Sequence, residues 1–111
     1  MSPRPLRPLV DISRLMLDHR LAALTRAAAA REESKARLAG LSQPSAETDL
    51  PLAVAAQASL LYERWAEARR AEINLTLARQ TAEWIEARDA AQRAFGRADA
   101  LRRLSDRGQL S

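Results

Sequence analysis

The sequence predicts an all-α protein, an antiparallel two-helix coiled-coil hairpin whose second helix is much the longer. Three observations carry this. Alanine makes up much of the 47% hydrophobic content and aromatics only 4%, so a thick globular core lacks its material,. All five prolines lie near the start or between residues 44 and 51, which leaves two long stretches free of helix breakers,. Within those stretches apolar residues recur at spacings of three and four. The 111 residues make one domain at most,.

Residues 1–8 hold three prolines and two arginines and read as an extended arm,. Pro8 suits the first turn of a helix, and Asp11 follows it on the favourable side of the dipole,. The first helix is expected over about residues 9–40. One stripe on it runs through Leu9, Ile12, Met16, His19, Ala23, Ala27, Ala30, Ser34 and Leu41, with Leu17, Leu21, Leu24, Ala28 and Leu38 beside it,. Gly40 is read as the C′ stop,.

Residues 41–49 form the linker, rich in turn and cap residues, with Asp49 as expected N-cap and Pro51 in the first turn,. Its length allows chain reversal. The second helix is expected over about 50–107, roughly 80 Å at 1.5 Å per residue, with Gly108 as its stop and a short tail over 108–111,. It carries two seams. The first is Leu61, Ala68, Leu75 and Ala82, interleaved with Ala71, Ala78 and Ile85; Tyr62 and Trp65 thicken that part. The second is Ile73, Leu77, Trp84, Ala87, Ala91, Ala94, Ala98 and Leu101, at 4-3 spacing from Trp84 onward,. Glu33/Arg37, Asp89/Arg93 and Asp99/Arg103 stand at i,i+4, worth a few tenths of a kcal/mol each,. Gly96 is a weak point, a hinge or a close helix crossing,.

The unequal helix lengths give the functional expectation. Folded back from the linker, the shorter helix covers the longer one to about residue 82. Trp84, Ala87, Ala91, Phe95, Ala98 and Leu101 are then left as an interface for a protein partner or for self-association,.

Chemistry is sparse. His19 is the only histidine, cysteine is absent, and Glu32-Glu33 and Glu83/Glu86 lack metal-ligand spacing,. Three isolated glycines make no phosphate loop,. The expectation is a protein that is not an enzyme and uses no cofactor or metal. The 18 Lys and Arg residues against 14 Asp and Glu are interleaved, as on a solvated helix face, so nucleic-acid binding ranks behind protein binding,. No apolar run approaches a membrane span and the start has no secretory h-region, which favours the cytoplasm without membrane insertion,.

Three stretches carry a family resemblance: Leu15-Met-Leu-Asp-His-Arg-Leu-Ala-Ala-Leu24, the Ala/Arg/Glu run from Arg26 to Leu41, and the periodic Leu61 to Leu104. The whole resembles the FliJ/YscO-type coiled-coil proteins of flagellar and type III export. The resemblance implies a stalk-like hairpin that inserts into a hexameric export ATPase and contacts the export gate, and it assigns no individual contact residue.

Overall fold

The computed structural model describes residues 6–41 and 51–110, and these form two helices, α1 (Leu6–Leu41) and α2 (Leu52–Leu110). The chain is an all-α helical hairpin with a long second helix of 59 residues. The expected N-cap Asp49, most of the linker and residues 1–5 of the arm lie outside the described residues.

The helix ends differ from expectation. α1 begins at Leu6, inside the expected arm, so Pro8 falls in the first turn and Asp11 beyond it. α1 continues through Gly40 to Leu41, and α2 through Gly108 to Leu110, with no glycine at positive φ among the described residues. Neither glycine is the left-handed stop read from the sequence. A glycine permits that conformation without requiring it, and a right-handed one extends the helix at a cost of about 1 kcal/mol relative to alanine. At the start of α2 the Pro51 carbonyl accepts the Ala55 N–H at 2.8 Å, which places Pro51 at the cap and not inside the first turn,.

The chain divides into two compact units, Met1–Ala29 with Ala82–Ser111 and Ala30–Thr81. In the second unit the two helix segments run antiparallel. The Ser34 hydroxyl donates to Gln80 Oε1, Arg31 Nε donates to Thr81 Oγ1 at 3.1 Å, and Arg70 Nη2 reaches the Leu41 carbonyl at 3.5 Å. The end of α1 is thus level with Arg70, about 18 residues or 27 Å along α2 from its start,. The ten residues between the helices can reach about 33 Å,. Loop-closure entropy rises slowly with length, so a tight turn has little advantage and side-chain match decides the register.

In the first unit Leu17, Leu21 and Leu24 share a groove with Arg88, Ala91 and Phe95. The core is thin throughout. Its buried hydrophobic residues are Ala66, Ile73, Ala91 and Ala94, and among the described residues no large side chain is fully buried. With alanine at these positions the helices approach closely while each contact contributes little burial.

Candidate interaction faces

The buried and half-buried positions of α2 define its inner face. Within the second unit they include Ala66, Arg70, Ile73, Leu77 and Gln80; within the first, Trp84, Ala87, Ala91, Ala94, Ala98 and Leu101. Spacings of four and three hold along both runs, the pattern of a helix packed against one neighbour. The second seam read from the sequence is therefore the one the hairpin uses.

That corrects the assignment of Trp84, Ala87, Ala91, Phe95, Ala98 and Leu101 to a surface that α1 does not reach. Ala91 is buried, while Trp84, Ala87, Ala98 and Leu101 are half-buried, and only Phe95 is largely exposed, at 61%. Folding back from the linker in the tightest register is what would have left them bare, and the observed register begins near Arg70 instead. Phe95 stands on the rim of the shallow groove of about 360 Å³ that it shares with the α1 leucines. Trp84 lies beneath the Arg88 guanidinium, 5.3 Å from the ring centre,.

The first sequence seam faces the opposite way. Leu61, Ala68, Ala71, Leu75, Ala78, Ala82 and Ile85 are all exposed, Leu75 at 75%. They lie about 160° around α2 from the inner face. Tyr62 and Trp65, which precede the point where α1 ends, are also exposed, their rings tilted at 41° with centres 5.8 Å apart. Trp65 and Ala68, with Arg69 and Glu72, line a groove of about 330 Å³.

On α1 the stripe read from the sequence splits. Ala23, Ala27, Ala30, Ser34 and Leu41 are half-buried or buried, whereas Leu9, Ile12, Met16 and His19 are exposed. The inward positions of the first unit are Leu6, Val10, Ser13, Leu17 and Leu24. Ser13 can sit inward because its hydroxyl donates to the Val10 carbonyl at 2.7 Å,. α1 thus has a second apolar face, Leu9, Ile12, Leu15 and Met16, that α2 leaves uncovered. The sequence showed these residues but not their direction, since they are more apolar than the true inward set.

Charged groups follow the helix surface. Glu33 pairs with Arg37 at 2.7 Å and Asp99 with Arg103 at 3.1 Å, as expected, while Asp89 lies 3.6 Å from Arg88 in place of Arg93. The hydrogen bond from Arg102, with Arg103 also near, holds the Asp99 carboxyl below its ordinary range,. A wide groove in the first unit brings Arg20 and Arg93 together with Glu83 and Glu86, so it selects neither sign of ligand. No group of three or more metal-binding side chains occurs among the described residues. Nor is any helix among them long and apolar enough to cross a membrane.

Comparison with protein-family models, with curated proteins and with solved structures finds no match to this chain.

Proposed function

We propose that this chain is a non-enzymatic helical interaction protein, with the stalk or adaptor of a flagellar or type III export ATPase in the cytoplasm as its particular role. One observation carries the general reading: α1 has two apolar faces and α2 covers one of them. Leu9, Ile12, Leu15 and Met16 stay exposed on a helix whose other side is packed. An apolar patch of this kind on a helix suits an amphipathic helix or helical groove of another protein. The particular role draws on the resemblance to FliJ/YscO-type hairpins and on the exposed apolar stripes.

The test is titration calorimetry of the full chain into a hexameric export ATPase. Saturable binding is expected, lost in an Ile12→Asp/Met16→Asp variant whose circular dichroism is unchanged. No binding by the parent chain contradicts the export role. Binding that survives both substitutions contradicts the α1 face.

A further inference from the structure

We infer that the outer face of α2 is a homodimer interface, on which a second copy of this chain packs antiparallel along Arg64–Asp89. This concerns a different face and a different occupant from the proposed function and does not rest on it. α2 is one uninterrupted helix over this span, so its own periodicity fixes which residues share the face,.

The face has the pattern of a coiled-coil seam. Ala68, Ala71, Leu75, Ala78, Ala82 and Ile85 follow one another at spacings of three and four, and all are exposed,. Alanine at four of the six positions lets two helices approach closely. Leu75 and Ile85 supply the bulk.

The charges beside this stripe choose the occupant and its direction. When two copies of α2 run antiparallel with Leu75 opposite Ala78 of the second copy, Ala71 meets Ala82 and Ala68 meets Ile85. In that same register Arg64 faces Asp89, Glu67 faces Arg88, whose guanidinium would leave its place over Trp84 to meet it, and Glu72 faces Arg79. Each of these opposite-sign pairings occurs twice by symmetry, giving six across the interface,. Sliding one heptad toward the N-terminus sets Glu72 against Glu72 of the second copy. Sliding one heptad the other way sets Glu72 against Glu86 and Arg79 against Arg79. A parallel pair sets Glu67 against Glu72. Of these arrangements only the first avoids a like-charge meeting, and it ends its apolar run at an Arg64–Asp89 pair on each side,.

Two features of the single chain fit this packing. The groove between Trp65 and Ala68 lies where Ile85 of the second copy would enter, and Ile85 is itself exposed. Glu72 bonds Arg69 at 3.0 Å within its own helix, and a carboxylate has acceptor sites for a second guanidinium,.

Sedimentation equilibrium of the full chain tests this at about 50 mM salt, where surface charges are weakly screened. The parent is expected to dimerise below about 100 µM, and Glu72→Arg and Arg79→Glu each to weaken dimerisation about tenfold. An equimolar mixture of these two variants is expected to recover the parent affinity, because the arginine introduced at position 72 of one then faces the glutamate introduced at position 79 of the other. Leu75→Asp is expected to give a monomer with unchanged helicity. A parent that stays monomeric at about 100 µM overturns the proposal. So does a Glu72→Arg variant that dimerises as tightly as the parent, or a mixture that associates no better than its components.

Discussion

Ser34 of α1 and Gln80 of α2 form a hydrogen bond inside the seam between the helices of their unit, Ser34 being 3% exposed. A polar pair at an inward position favours one register, because sliding the helices leaves the buried Ser34 and the half-buried Gln80 without each other,. Ser34→Ala alone strands Gln80 and is expected to lower stability by about 1 kcal/mol. Adding Gln80→Leu is expected to restore or exceed the parent stability, since an apolar pair replaces a satisfied polar one. Urea unfolding of the two variants checks both signs.

Gly96 lies in the continuous α2 helix, and a methyl group built on it meets nothing within 4 Å. The close-crossing reading of this glycine therefore has no support in its surroundings. Gly96→Ala is expected to stabilise the protein by about 0.5–1 kcal/mol through helix propensity alone. Thermal unfolding reads this as a rise of a few degrees in Tm, and a fall would mean that the glycine serves a contact or motion of its own.

Arg70 reaches the last carbonyl of α1 at 3.5 Å, where a cation complements the helix dipole,. Arg70→Met keeps the aliphatic stem and removes the charge. Hydrogen exchange at the last turn of α1 is expected to quicken about threefold, with the middle of α1 unchanged, for a loss of about 0.5 kcal/mol.

Asp99 gives the pH dependence its sign. Its carboxyl is held below the ordinary value of 3.8, first by the hydrogen bond from Arg102 and then by the charge of Arg103. The unfolded chain therefore takes up the proton first. The contribution to stability is full above that ordinary value and fades as pH falls through the lower folded value. The acid-side loss of helicity is expected to shrink in Asp99→Asn, as followed by circular dichroism between about pH 5 and pH 2.

The inner seam of α2 was legible in the sequence from Ile73 to Leu101 because its residues are apolar and strictly spaced. The matching face of α1 was legible only in its later part, from Ala23 to Ser34. Its beginning was not, because Ser13 faces inward with its hydroxyl satisfied by Val10, while the more apolar Leu9, Ile12 and Met16 are exposed. Hydrophobicity finds stripes, but it does not say which of two stripes a neighbour will cover. The register was hidden for a related reason. A ten-residue connection permits many offsets, and cross-helix pairs such as Arg31–Thr81 make the choice, which no single-helix periodicity contains. The outer stripe around Leu75 was visible as a seam, but its outward direction needed the position of α1.

The central claim is that the end of α1 meets α2 near Arg70, well past its start. The chain has no cysteine, so paired substitutions test this cleanly. In Ser34→Cys/Gln80→Cys, mild oxidation of the monomer is expected to form an intramolecular disulfide. In Ser34→Cys/Ser59→Cys, which the tightest hairpin would bring together, none is expected. A disulfide in the second variant and not in the first would contradict the register and the assignment of inner and outer faces built on it.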